Sequence, residues 1–360
     1  MRAALCSLLL GALMLIAGVG TAAAADDLDS LIAAAKQEGT VVVDGPPDDQ
    51  IRQAITSGFK ERYGIEVSYI SAGGPKSGPR VRAERAAGRY LLDVLVTGAD
   101  SAVQTFLGSG WLDPIKPVLV DPNVTDLSKW RDHKITYVDP DKKLLRLFSY
   151  IVQTIAVNSK VVKPSEIATF HDLLKSEWQG KMMVRDPTVP GAGGSLISYL
   201  YVTQGPDFVQ SLYKTQKPVL VRDTRQGAQS LAQGAYGIWA APDPKQLSQF
   251  KSLGYPIEFI FPTDGPPIVT GGYGIIALMN KAPHPNAAKL FVNWIASKDG
   301  QTKYGEAAES ATLRNDVEQS YLDPKTIPQP GQKVFDTYEF KYVKDERAAA
   351  LDKARALVGF

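Results

Sequence analysis

An α/β chain folded as two lobes is predicted by three observations. Near the start, three strand–loop–helix units follow one another. In the middle the same alternation recurs. Two long extended runs, 148–158 and 271–278, have the β-branched content of strands that cross from one set to the other and back. At 360 residues the chain is long enough to give each lobe its own core.

The elements follow in order. Asp27 to Ser30 cap a helix over 27–39, with Gly39 as its stop, and the apolar run 40–43 is a short buried strand. A loop through Pro46, Pro47 and Asp48 leads to an amphipathic helix with Ile51, Ile55 and Phe59 on one face. Strand 65–70, loop 71–78, helix 81–87, strand 93–96 and loop 97–101 complete the first set. Consecutive parallel strands place their carboxyl-end loops along one edge, where open α/β sheets bind ligands. The loops 45–48, 71–78 and 97–101 are therefore expected to converge.

The second set contains strand 181–184, a glycine-rich turn over 185–195, strand 219–221, helix 226–233 and strand 236–241. The run 271–278 returns, helices 285–296 and 298–306 follow, and a C-terminal helix over 345–358 is expected to pack on the first lobe. The predicted division is 1–25 as a leader, 26–152 with 271–360 as the first lobe, and 153–270 as the second.

The leader reading rests on Arg2, an apolar run over 3–19 and small residues over 21–25, the order of a secretory signal peptide. Its loss leaves about 335 residues and removes Cys6, the sole cysteine, so disulfides and thiolate chemistry are excluded from the mature chain. The 40 Lys+Arg against 38 Asp+Glu give no reason to expect nucleic acid, and there is no basic stripe with interleaved aromatics.

The turn over 185–195 reads as half of a ligand cradle. Small residues let backbone approach a ligand closely, and the free N–H groups of a helix start favour a negative or strongly polar group. An ordinary chain reversal is the plainer alternative. The candidate contacts are Pro46, Asp48, Ser71, Gly74, Lys76, Ser77, Thr97 and Gly98 from the first set. From the second they are Thr188, Gly193, Gly194, Ser195 and Arg222, with Trp239 as an apolar wall or a core residue, and Tyr273 from the return run. Lys76, Arg80, Arg185 and Arg222 are the cations available to a carboxylate or phosphate.

Several phrases together resemble a known family: LIAAAKQEGTVVV (31–43), VQTIAVNSK (152–160), FHDLLKSEWQGK (170–181), GGYGIIALMNKAPHP (271–285) and AAKLFVNWIASKDGQ (287–301). They look like the bacterial extracellular solute-binding proteins of ABC importers, in the branch with ferric-iron, aminoethylphosphonate and sugar-phosphate binders. The resemblance implies a type 2 periplasmic binding fold, α/β with two lobes and two hinge-crossing strands, closing around a solute in the cleft between them. It also implies a periplasmic monomer that delivers a small, polar, anionic organic solute to an inner-membrane ABC permease, with no cofactor. The family's ferric members use a consecutive tyrosine pair in the second lobe. Here the matching region reads Trp239, Ala240, Ala241, Pro242, so iron ranks below an organic ligand.

His133, His171 and His284 share no metal-ligand spacing and are expected to cap or lie on the surface. No G-x-S-x-G, H-E-x-x-H or G-x-x-x-x-G-K-[ST] pattern occurs, which leaves an exported enzyme using the same cleft without a candidate nucleophile or metal.

Overall fold

The computed structural model describes residues 19–189 and 191–360, so most of the predicted leader lies outside the described residues. In chain order come α1 (Val19–Glu38), β1 (Thr40–Gly45), α2 (Asp49–Tyr63), β2 (Glu66–Ser71), α3 (Gly74–Ala86), β3 (Val94–Thr97), β4 (Leu112–Asp113), α4 (Pro122–Thr125) and β5 (Leu144–Arg146). Next are β6 (Tyr150–Ile151), β7 (Ile155–Asn158), β8 (Met182–Arg185), α5 (Ala192–Thr203), α6 (Pro206–Gln210), β9 (Val219–Val221) and α7 (Thr224–Ala232). These lead to β10 (Ile238–Ala240), α8 (Pro244–Ser252), β11 (Ile257–Ile260) and β12 (Ile268–Thr270). The chain closes with β13 (Ile275–Met279), α9 (Pro285–Ala296), α10 (Lys298–Ala307), β14 (Phe335–Asp336) and α11 (Arg347–Val358). No described helix is long and apolar enough to cross a membrane.

Two compact units result. The first takes the chain up to Leu147, Tyr273–Ala308 and Thr312–Gln319; the second takes Phe148–Gly272, Glu309–Ala311 and Ser320–Phe360. In the first, the sheet runs β2-β1-β3-β13-β4, with β5 also on β13. Strands β1, β2 and β3 are parallel, as three successive strand–helix units require, and β13 is antiparallel to β3. Ile51, Ile55 and Phe59 form the buried face of α2 as their spacing predicts. Phe59 meets Phe291 and Trp294 of α9 at centroid distances of 5.2 and 5.5 Å, and ring pairs of this kind add about 0.5–1.5 kcal/mol each to simple burial.

The second unit has a sheet of order β11-β7-β10-β8-β9, in which β8 is parallel to both β9 and β10, and a small sheet β14-β12-β6. Its core gathers Ile155, Val157, Met182, Val184, Leu196, Ile197, Leu200 and Ile238.

Four expectations are corrected. The run 148–158 is not one strand: β6 and β7 join different sheets, and both lie in the second unit. Helix α3 begins at Gly74 instead of 81, so Lys76, Ser77 and Gly78 are helical, with Pro75 in the first turn, where its missing N–H costs nothing. Likewise α5 begins at Ala192, which puts Gly193 and Gly194 inside the helix. The C-terminal helix belongs to the second unit and not the first: Ala354 and Val358 enter that unit's core, and α11 packs on α5 and α6. Ala350, Ala354 and Val358 form its buried i, i+4, i+8 stripe.

Candidate functional site

In the first unit the predicted loops do converge at the carboxyl edge of the sheet. Gly73 N–H donates to Gly45 O (3.1 Å), and the Tyr69 hydroxyl donates to Pro46 O (3.0 Å). Gly74 packs so tightly on β3 and the turn after it that a Cβ there would collide with Ser101 and come within 2.7 Å of Thr97 Oγ1. The hydroxyls of Thr97, which is buried beneath Gly74, and of Ser101 make no hydrogen bond among the described residues. Lys76 is exposed and unpaired among the described residues, in the first turn of α3. Because Ile275 of β13 lies opposite both Thr97 and Arg146, the carboxyl ends of β3 and β5 flank the start of β13, and Tyr273, 45% exposed, stands at that edge.

Beneath this edge, Asp44 near the end of β1 is wholly buried and receives Arg80 Nη2 at 2.6 Å. Among the described residues its Oδ1 has no hydrogen-bond donor. Burial pushes its carboxyl above the usual aspartate range, a rise that the Ser77 hydroxyl and the Arg80 guanidinium only partly oppose. Burial also pushes up the Tyr69 phenol, with the Asp44 and Asp48 charges adding to the effect.

In the second unit the carboxyl ends of parallel β8, β9 and β10 carry Arg185, Arg222 and Ala241. Asp186 is buried (2% exposed) and holds the turn together: Thr188 N–H (2.8 Å) and Oγ1 (2.6 Å) donate to its Oδ1, and Arg222 Nε donates to Oδ2 (2.6 Å). Burial acts against ionisation here too, but the Thr188 hydroxyl and Arg222 more than offset it, so the Asp186 carboxyl is held below its ordinary value. Gly193 is required by close approach, since a Cβ would lie 2.5 Å from Asp186 O and 2.7 Å from Arg185 O. Ala241 has a positive φ of 53°, unusual for a residue with a side chain, at the end of β10.

Arg185 differs from its neighbour. Its guanidinium is half-buried and makes no ion pair or hydrogen bond among the described residues. Loss of water lowers its pKa, against the more distant pull of Asp243 and Asp223. Arg222 is 73% exposed at its side chain, and its Nη groups are not used by Asp186.

Several predicted contacts are already committed locally. Asp48 caps α2 by accepting from Ile51 N–H (3.0 Å). The wholly buried Ser77 donates to Gly73 O (2.8 Å). Thr188 serves Asp186, and the Ser195 hydroxyl donates to Gly191 O (3.3 Å) while accepting from Arg347 (2.9 Å). Trp239 is no wall for a ligand: it is 0% exposed and packs in the core with Met183, Val221, Ala228 and Leu231. Pro46 and Gly98 shape the edge with backbone, Gly98 O capping the next turn by accepting from Ala102 N–H (3.1 Å), and Ser71 ends β2 in an exposed position. Ser101 and Arg146 were not among the residues singled out for contact. Ser101 ended a predicted loop, and only the β13 register reveals Arg146.

His171 and His284 pair through Nδ1 with Asp264 and Asp93, both at 2.8 Å, in structural roles. Among the described residues no three or more His, Cys, Asp or Glu side chains gather as a metal site.

Residues 54–330 match the model of the family described as bacterial extracellular solute-binding protein. A Haemophilus influenzae protein with no assigned function is 24% identical over 329 residues, covering 88% of this chain and 90% of that one. Among solved structures, the iron- and citrate-bound IdiA (FutA) of Trichodesmium superposes with a TM-score of 0.68 at 20% identity, covering 89% of this chain and 99% of that one. AfuA of Actinobacillus pleuropneumoniae, with fructose-6-phosphate bound, gives 0.67 at 19% over 89% and 98%. A ferric binding protein of Campylobacter jejuni gives 0.67 at 18% over 89% and 99%. At such identities the structures establish a shared two-lobed α/β fold, and the family match establishes the rest: this chain belongs to the bacterial extracellular solute-binding proteins, the substrate-binding components of ABC importers.

Proposed function

We propose that this protein captures a small anionic organic solute at the strand ends and glycine-rich turn of the second unit, and hands it to an inner-membrane ABC permease. The observation that carries the reading is Arg185. A guanidinium stripped of part of its water and given no carboxylate partner is costly unless an anion completes it. Arg222 on the adjacent strand end of the same unit offers further N–H donors, and the start of α5 offers neutral ones. An exported, periplasmic, monomeric protein is part of the same proposal, supported by the leader-like residues 1–25 and the family's extracellular character.

Melting curves with phosphonates, sugar phosphates, carboxylates and amino acids test it. A true ligand at about a hundredfold over its Kd stabilises the fold by about 2.7 kcal/mol. Arg185→Ala is expected to weaken that ligand roughly 10- to 100-fold, the worth of one charge-assisted contact, while leaving the unliganded melting temperature in place. A ligand bound equally well by Arg185→Ala refutes the reading.

Ferric iron is the competing solute, since two structural relatives are iron-bound or ferric-binding proteins by name. Against it here, the place of a tyrosine pair is taken by a core tryptophan and by Ala240, and the Tyr69 phenol is engaged and hard to ionise. A coloured tyrosinate complex on loading with Fe(III) would reverse the ranking.

A further inference from the structure

The C-terminal helix touches the glycine-rich turn along one of its faces. Arg347, Leu351 and Arg355 recur at i, i+4 and i+8, so they form a single stripe along α11. Arg347 Nη2 donates to the Ser195 hydroxyl at 2.9 Å. Leu351 faces Gly194, where even a methyl group would be in contact with it (3.5 Å). Arg355 donates to Pro187 O from Nε (2.9 Å) and again from Nη2. The two arginines thus hold the turn on both sides of Gly193, at the carbonyl of Pro187 and in the first turn of α5. The adjoining stripe, Ala350, Ala354 and Val358, is buried and anchors the helix in the unit's core. At the very end, the Phe360 ring meets Tyr213 edge-on at 6.4 Å.

We propose that Arg347 and Arg355 are positioning residues: α11 is a splint that holds the turn over 187–195 in its binding shape before any solute arrives. Neither residue need touch the solute. The physical case is that this turn, rich in glycine, has much backbone freedom to lose, and a charge-assisted bond to a carbonyl is stronger than the neutral bonds a loop makes to itself. Donors fixed in advance bind an anion more tightly than donors that must be ordered on binding. That the turn binds solute rests on the reading above; that it is splinted does not.

Hydrogen–deuterium exchange of the full mature chain therefore tests the splint without any ligand. In Arg355→Ala, and less so in Arg347→Ala, amides over 187–196 are expected to exchange about tenfold faster, with the remainder of the chain unchanged. Arg355→Lys, which keeps a cationic donor, is expected to recover most of that protection. Fructose 6-phosphate serves as the binding probe: its Kd is expected to rise about tenfold in Arg355→Ala through faster release, and to return towards wild type in Arg355→Lys. Unchanged exchange over 187–196, or an acceleration spread over the whole second unit, overturns the proposal; so does fructose 6-phosphate binding that ignores Arg355. If the wild type does not bind this probe, the exchange result decides. A splint that fails while Arg185→Ala still abolishes binding leaves the site reading intact, and the reverse outcome rejects the site alone.

Discussion

Each unit buries one aspartate at the carboxyl end of a parallel strand and sets an arginine nitrogen 2.6 Å from it, yet the two carboxyls titrate in opposite directions. Asp44 with Arg80 is raised; Asp186 with Arg222 is lowered. The arginine is common to both, so it does not decide. The difference lies in deeper burial around Asp44, to which the Glu84 charge adds, and in the other oxygen: Asp186 Oδ1 accepts from both the backbone and the hydroxyl of Thr188, whereas Asp44 Oδ1 has no donor among the described residues. A buried carboxylate is stabilised by complete hydrogen bonding more than by a single opposite charge.

The widest expected contrast follows from exposure. Arg80→Ala strands a fully buried carboxyl and should cost about 3–5 kcal/mol in urea unfolding. Arg222→Ala removes a mostly exposed side chain from an aspartate still served by Thr188, and should cost about 1 kcal/mol or less. Equal losses would mean that the arginines, and not the second oxygen, set the difference.

A smaller effect compares the two tight glycines. Gly74→Ala and Gly193→Ala should each cost about 2 kcal/mol by overpacking. The first overlaps the Ser101 side chain, so adding Ser101→Gly should recover part of the loss. The second overlaps backbone oxygens, and no side-chain truncation should relieve it.

The smallest effect is in pH dependence, read from urea midpoints between pH 3 and 8. With a raised folded pKa, Asp44 gives stability that is full below its unfolded value, near 3.9, and is lost as pH climbs through the folded one. Asp186, lowered, gives stability present above its unfolded value and lost as pH falls through the folded one. Asp44→Asn should therefore flatten the profile on its rising-pH side, and Asp186→Asn on its acid side. Changes of the same sign in both variants would contradict the comparison.

The parallel strands of the two larger sheets were legible because buried parallel strands are written as short runs such as Val41-Val42-Val43 and Met182-Met183-Val184, closed by turn residues, whereas the short strands β4, β5 and β14 were not. Helix starts were less so. Gly74, Pro75 and Gly193 look like loop residues, but all three fit the first turn of a helix, where close approach needs glycine and a missing N–H is harmless. The convergence of loops 45–48, 71–78 and 97–101 followed from strand direction alone. Which hydroxyls remain for a solute did not: Ser77, Thr188 and Ser195 are spent on neighbours a few residues away, a matter of rotamer and geometry. Whether Trp239 was a ligand wall or a core residue stayed open for a related reason, because alternation along β10 does not say which face of the strand is covered by α7. The allegiance of the last 41 residues, Ser320–Phe360, was hidden because it depends on contacts made far along the chain.

That allegiance has a practical consequence. The carboxyl terminus sits in the same unit as the glycine-rich turn, two residues beyond Val358 of that unit's core and beside Tyr213. A dye, affinity handle or fusion partner attached after Phe360 would thus load the unit that carries the glycine-rich turn directly.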